Sequence, residues 1–344
     1  QEKDHPLRTE FQRDKDRIVH SLAFRRLEYK TQVFVSGQGD HFRTRLTHTI
    51  EVSGISRTIS RALGLNEDLA ESSALAHDIG HPPFGHCGED ELNELLKEHG
   101  GFDHNKQALK TVDELEDKYT AFKGLNLSWE LRASLCKHRD RQAELDGIKL
   151  PKQNYLEAQV SNLADSITYY SHDMDDGLLA GLITVDQLKK LKFWQMAAEH
   201  ADLPSSTDYK EIVPYMIRAS IDMQVADAVQ NSHKRLIDSG IKSADAALDL
   251  DEPLIQLSQE MYESTQELRT FLYEKMYWHE RVLSANKEAV RMMRELFQYF
   301  IKHPDDVGSR SRKRIEEVGL YPAVGDYIAM MTDRYAIEQY NEFV

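Results

Sequence analysis

The sequence predicts an all-α protein. Long stretches place apolar residues at spacings of three and four with few alternating runs, and glycine and proline punctuate them at helix-length intervals. No internal repeat, low-complexity tract or Ser/Gly-rich linker interrupts the pattern. At 344 residues the chain is long enough to bury a sizeable core, and one helical unit over residues 1–344 is expected.

The elements follow in order. Over residues 44–63, His48, Val52, Ile55, Ile59 and Leu63 fall on one helical face, and Gly64 supplies the stop. His48 thus opens a core stripe. A second helix is expected over residues 67–78, ended by Gly80 and Pro82-Pro83, because proline cannot continue a helix and drives its predecessor toward extended geometry. This places His77 and Asp78 in its last turn. A third opens near Gly85, carries Leu92, Leu95 and Leu96 to Gly100-Gly101, and has His86 and Glu89 in its first turn. Residues 155–182 have helical spacing, with Asp165, Tyr169, His172 and Asp173 on one face. Further amphipathic helices are expected at 215–236, 253–274, 285–301 and 327–340, and residues 303–314, with five residues Arg310-Ser311-Arg312-Lys313-Arg314 at their end, read as a basic loop.

Composition narrows the function classes. The net charge of −15 disfavours a generic nucleic-acid coat, since affinity for phosphate backbones comes mostly from cationic neutralisation. The charge is uneven: residues 1–61 carry 12 Lys+Arg against 8 Asp+Glu, and the remainder 31 against 50. An anion site in the N-terminal third and a merely solvated basic face are both compatible with that imbalance. No window approaches the uncharged apolar run that a membrane span needs, and the charged start Gln1-Glu2-Lys3-Asp4-His5 resembles no signal peptide, so a cytoplasmic location is expected. Cys87 and Cys136 form no Cys-x-x-Cys pair, which argues against a disulfide framework or zinc ribbon.

A His-Asp dipeptide at a helix end is common, and a helix-terminal imidazolium favoured by the dipole explains most examples. Its surroundings change the reading. Residues 77–90 pack three histidines, three acids and three glycines around two prolines. Buried unpaired imidazoles and carboxylates are costly, whereas a shared cation offsets their desolvation together. Mixed His and carboxylate donors without Cys suit one catalytic divalent ion, Mn²⁺, Mg²⁺, Fe²⁺ or Zn²⁺.

The order His48, then His77-Asp78, then Asp165 resembles the H…HD…D signature of HD-domain phosphohydrolases. Residues 13–21, Phe24-Arg25-Arg26-Leu27, Lys30-Thr31-Gln32-Val33-Phe34, Arg43-Thr44-Arg45-Leu46-Thr47-His48-Thr49, residues 77–89 and residues 326–336 resemble bacterial deoxyguanosinetriphosphate triphosphohydrolase (dGTPase)-like proteins over nearly the whole chain. The resemblance implies an HD-domain helical core at about 44–180 and C-terminal helices over 209–344 that complete the pocket and an oligomer interface. It implies metal ligation by His48, His77, Asp78 and Asp165, and hydrolysis of a dNTP, dGTP among others, to deoxynucleoside and intact triphosphate.

Roles for further residues follow. His86 and Glu89, at i and i+3, suit a carboxylate-oriented general base, against the plainer reading of a capping pair, and the resemblance agrees with the former. His81 and His104 match family positions along the phosphate channel, where each either protonates the leaving oxygen or holds phosphate. Arg45, one turn before His48, is expected to direct its guanidinium to phosphate, and Lys137 resembles a phosphate lysine. The resemblance also puts Tyr169 and Asp173 at the sugar, Gln32 at the 3′-hydroxyl and Tyr277 in the pocket, with the Tyr169 ring excluding a 2′-hydroxyl. A homo-oligomer, in relatives often a hexamer, and dNTP allostery are implied, with the basic 310–314 cluster serving an interface. Single-stranded DNA, bound through insertions in longer relatives, has no support in this shorter chain, and no membrane partner is expected.

Two positions depart from the pattern: Met330 stands where relatives commonly have Gly, and Ser166 where the animal HD-domain dNTP triphosphohydrolase has a phosphate-binding Lys. The competing readings are another HD-type phosphohydrolase, cleaving a monophosphate, cyclic nucleotide or alarmone, and a nucleotide- or single-stranded-DNA-binding regulator with little turnover.

Overall fold

Side-chain caps start many of the helices: Thr9, Asp103, Ser128, Ser258 and Thr332 each accept a backbone N–H from the first turn that follows. The computed structural model describes residues 3, 5–32, 43–137, 143–206 and 208–344. Among these the protein is all-α, with seventeen α-helices and one two-stranded antiparallel hairpin, Glu144–Leu145 with Ile148–Lys149. No helix among them is long and apolar enough to cross a membrane.

The chain divides into two compact units. One comprises Gln1–Thr47, Leu75–His138 and Leu283–Val344. Its core packs Phe84, Leu92 and Leu96, respectively just before, on and just after the Gly85–Leu95 helix, with Met293, Phe297 and Phe300 of the Glu280–Lys302 helix. Ile328 and Ala336, from the last two helices, complete that cluster. The other unit comprises His48–Ala74 and Arg139–Val282. There Val52, Ile55 and Ile59 of the Arg45–Leu63 helix pack with Val160, Ala164 and Ile167 of the Leu156–Leu179 helix.

Several boundaries differ from expectation, some for tertiary reasons and some because a local cap starts the helix elsewhere. The second helix ends at Ala76, so His77 and Asp78 occupy a turn in which His81 N–H reaches the Asp78 carbonyl at 3.1 Å. The helix expected from 215 begins at Tyr209, where Asp208 caps it, and it accommodates Pro214. The expected 253–274 helix starts only at Gln259, because the Leu254 and Ile255 N–H groups bond the Gln159 side chain instead. The expected 327–340 helix is two, Leu320–Ala329 and Asp333–Phe343, divided at the Thr332 cap. The basic stretch is no loop. After a short turn at Pro304–Asp306 it forms the Ser309–Val318 helix, in which Arg314 pairs with Glu114 at 2.7 Å and Asp326 at 3.2 Å. Acidic neighbours distant in sequence neutralise charges that would otherwise repel along the helix.

Gly80 allows the close approach on which the His77-Asp78 turn depends. A Cβ there would lie 2.1 Å from the His104 carbonyl oxygen and 2.2 Å from the Ala108 nitrogen, both backbone atoms that cannot swing away. Gly80→Ala is therefore expected to destabilise the protein by about 3 kcal/mol or more. Gly54→Ala, in the Arg45–Leu63 helix with nothing within 4 Å of its Cβ, should be neutral or stabilise by up to about 1 kcal/mol. Denaturant midpoints of the two variants check this, and equal effects would contradict it.

Candidate metal centre

Within the first unit the site is built around Asp78. Only 4% exposed, its carboxylate accepts a 2.8 Å hydrogen bond from Arg45 Nη1, and its other oxygen lies 3.3 Å from both His77 Nε2 and His81 Nε2. Burial opposes ionisation, but His77, Arg45 and His81 together hold the carboxyl well below the usual carboxylate range. His81 is the converse. Burial, then the Arg45 charge and His104, depress its pKa well below that of an ordinary imidazole, so the ring is neutral.

Glu89 forms a second hub on the Gly85–Leu95 helix. Its Oε1 accepts from the His104 backbone N–H at 2.9 Å and lies 2.7 Å from His104 Nδ1, while Oε2 lies 3.4 Å from His86 Nδ1 and 3.9 Å from His81 Nδ1. Burial raises its pKa, yet the bonds to His104 and His86 prevail and hold the carboxyl ionised. His81 and His104 stack with centroids 4.0 Å apart, and His86, with 60% of its side chain exposed, stands at the helix start. The i,i+3 pair of His86 and Glu89 is present, but the shorter bond goes to His104, fifteen residues away. His81, Glu89 and His104 also offer ligand atoms within 4.8 Å of one another.

Sequence reasoning assigned no role to two buried residues that set this geometry. Phe84, left-handed at φ 63°, gives its N–H to Asp333 Oδ1 at 2.9 Å, and Asp333 Oδ2 accepts the Thr31 N–H at 2.9 Å and the Thr31 hydroxyl. One carboxylate thereby fixes both the turn before His86 and the backbone next to Gln32. Lys30 donates Nζ to the carbonyls of His81 and, at 2.9 Å, Ala329. Both residues lie in stretches that resemble the family, but nothing local reveals their partners. Gln32 is buried, and its Oε1 makes no hydrogen bond among the described residues. Val33 and Phe34 of the same motif lie outside them, as does His138. Lys137 follows the Trp129–Leu135 helix and is half-buried.

In the second unit, His48 is fully buried with Nε2 3.1 Å from Asp165 Oδ1. The His172 ring bonds Glu51 and meets His48 edge-on, centroids 5.6 Å apart. Asp173 accepts the Tyr277 hydroxyl, and the Tyr169 and Tyr277 rings stack at 6.3 Å, so this unit gathers three of the four residues expected at the sugar and pocket, Gln32 belonging to the first unit.

The HD domain family model matches residues 45–170, and one described as a phosphohydrolase-associated domain matches residues 255–342. The deoxyguanosinetriphosphate triphosphohydrolase-like protein of Azoarcus sp. (strain BH72) is 44% identical, with 97% of this chain and 89% of its own length covered. The chain belongs to the deoxyguanosinetriphosphate triphosphohydrolase-like family of HD-domain proteins. The dGTPase-like proteins of Thiobacillus denitrificans (45% identical, 97% of this chain and 90% of theirs) and Leptospira interrogans serovar Lai (43%, 99% and 91%) match equally broadly. A solved structure of a hypothetical protein from Aquifex aeolicus covers 94% of this chain and 66% of its own at 16% identity, with a TM-score of 0.41. As a dGTPase-like HD-domain protein, the chain is a metal-dependent phosphohydrolase.

A divalent ion suits the donors. Asp78 is ionised where water is scarce, His81 beside it is neutral, and the one nearby thiol, Cys87, is pushed up to about 12 by burial and bonds the Phe84 carbonyl. This is nitrogen and oxygen chemistry for a hard or borderline cation, not thiolate chemistry.

Lys30 gives a pH test. Burial foremost, and then the Arg26 charge, lowers its pKa from 10.5 to about 7 in the folded chain. Between those values the unfolded chain binds the extra proton, so stability should fall as pH drops from 10.5 toward 7 and level off below. Lys30→Met should remove a slope of up to about 1.4 kcal/mol per pH unit in that window. Urea denaturation across the range measures it, and an unchanged slope would contradict a neutral buried amine.

Proposed function

We propose that this phosphohydrolase is a dNTP triphosphohydrolase, converting a dNTP, dGTP among them, to deoxynucleoside and intact triphosphate by water attack on the α-phosphorus. The observation that carries the reading is Glu89: an ionised, half-buried carboxylate bonded to imidazoles on the segment that follows the His-Asp pair. Relatives at 43–45% identity bearing the triphosphohydrolase-like name over nearly the full chain supply the substrate class.

His48, His77, Asp78 and Asp165 would hold one divalent ion. Bound there, such an ion supplies Lewis-acid polarisation of a phosphoryl oxygen. The chain's own groups account for the rest. His77 and then Arg45 keep Asp78 ionised, and the guanidinium N–H groups of Arg45 not bonded to Asp78 are suited to phosphate oxygens. A histidine that donates Nδ1–H to Glu89 keeps its lone pair on Nε2, the form that accepts a proton from water. His86, exposed at the helix start, takes that role, with His81 and His104 at the phosphates or the leaving oxygen. The tighter bond to His104, 2.7 Å against 3.4 Å, supports the converse assignment, in which His104 is the base and His86 contacts phosphate. Tyr169, Asp173 and Gln32 would select deoxyribose, Tyr277 would line the pocket, and Lys137 would hold phosphate. The family resemblance supports a homo-oligomer of up to six copies, dNTP regulation and a cytoplasmic setting.

Incubation with each dNTP and with mixtures, under Mn²⁺, Mg²⁺, Fe²⁺ and Zn²⁺ in turn, should release triphosphate as one unit. Stepwise orthophosphate would overturn the proposal. Glu89→Gln should lower kcat by roughly 10²–10⁴-fold with metal content unchanged, and whichever of His86→Ala and His104→Ala matches it is the base. Tyr169→Ala should raise turnover of ribonucleotides relative to dNTPs, and an unchanged ratio would remove Tyr169 from sugar selection.

A further inference from the structure

Two stretches from opposite ends of the chain meet within the first unit. Ala329 and Asp333 bracket the corner between the Leu320–Ala329 and Asp333–Phe343 helices, and both reach back to the Lys30-Thr31-Gln32 segment. Lys30 donates Nζ to the Ala329 carbonyl at 2.9 Å, and its own carbonyl accepts the Arg45 N–H at 3.3 Å. Thr31 gives Asp333 Oδ2 both its backbone N–H, at 2.9 Å, and its hydroxyl. The next residue, Gln32, is thus set by a well-anchored chain, and its buried Oε1 has no hydrogen-bond partner among the described residues. A buried amide oxygen without a donor is costly, and a ligand hydroxyl would satisfy it.

The other oxygen of Asp333 holds a different segment. Oδ1 accepts the Phe84 N–H at 2.9 Å, and Phe84 stands left-handed at φ 63°, a conformation that a bulky residue keeps only where its surroundings impose it. His86 follows two residues later. The two segments lie side by side, since a Cβ on Gly85 would be 3.5 Å from the Gln32 carbonyl oxygen. Asp333 itself is fully buried in the first turn of its helix, where the dipole favours a carboxylate. Its bonds go to Thr31 and Phe84, chain neighbours of the residues that would meet substrate.

We propose that Asp333 is a positioning residue for the reaction: its two oxygens set the spacing between Gln32 and the His86 turn, so that selectivity for a sugar 3′-hydroxyl depends on a carboxylate that never meets substrate. The inference rests on the dNTP reading of the site, in which Gln32 bonds that hydroxyl. Asp333→Asn keeps the size of the side chain but offers one carbonyl oxygen where Thr31 and Phe84 present three donors, so one of the two segments loses its hold.

Competition between dGTP and 2′,3′-dideoxyguanosine 5′-triphosphate in one reaction of the metal-loaded full chain, with the two nucleoside products resolved by mass, gives the ratio of their kcat/KM values. Loss of folded enzyme scales both rates alike and leaves that ratio untouched. Asp333→Asn should lower the preference for dGTP roughly tenfold or more. In a Gln32→Ala background the same change should alter it by less than about twofold, because the residue through which Asp333 acts is gone. If Asp333→Asn does not fold, Thr31→Val, which removes only the hydroxyl bond, is read the same way, with a loss of about threefold expected. A preference that Gln32→Ala loses and the Asp333 and Thr31 variants keep would overturn this inference alone. A wild type with no preference, or none lost in Gln32→Ala, would overturn the assignment of Gln32 and this inference with it.

Discussion

A carboxylate as deeply buried as Asp78 must be neutralised, and much of the first unit's local architecture meets that demand. Arg45 donates to one oxygen while His77 and His81 approach the other. Removing Arg45 would leave a buried charge unpaired, a loss on the order of 3–5 kcal/mol. The Gly80 contact with the His104 and Ala108 backbone then holds the start of the His104–Lys110 helix against the Asp78 turn. Structural and chemical roles coincide in these residues.

Glu89 and Asp333 extend that logic outward. Each is a carboxylate withdrawn from solvent, Glu89 partly and Asp333 fully, whose oxygens are spent on several donors: Glu89 on imidazoles and the His104 N–H, Asp333 on Thr31 and the Phe84 N–H. Burial raises the Asp333 pKa, and its bonds to Thr31 and Phe84 pull against that shift. Such a carboxylate orders backbone segments that have no regular structure of their own, here the stretch before Gln32 and the left-handed turn before His86.

What the sequence revealed divides by the range of the interaction. The face of the Arg45–Leu63 helix and its Gly64 stop were legible because periodicity and a glycine terminator are local. So was the all-helical class. The turn at His77 was not, because it depends on packing at Gly80 rather than on propensity. Nor was the Ser309–Val318 helix, whose basic run is tolerable only beside Glu114 and Asp326. For the site, the i,i+3 proximity of His86 and Glu89 was readable from spacing, whereas the closer bond to His104 and the Asp333 clamp link residues far apart in sequence. No local pattern encodes them.

In the proposed reaction water attacks the α-phosphorus and the nucleoside 5′ oxygen leaves. Turnover of dGTP in ¹⁸O-labelled water, with mass analysis of both products, tests it most directly. One ¹⁸O in the triphosphate and none in deoxyguanosine is the predicted result. Label in the deoxyguanosine 5′-hydroxyl, or in released orthophosphate, would contradict it.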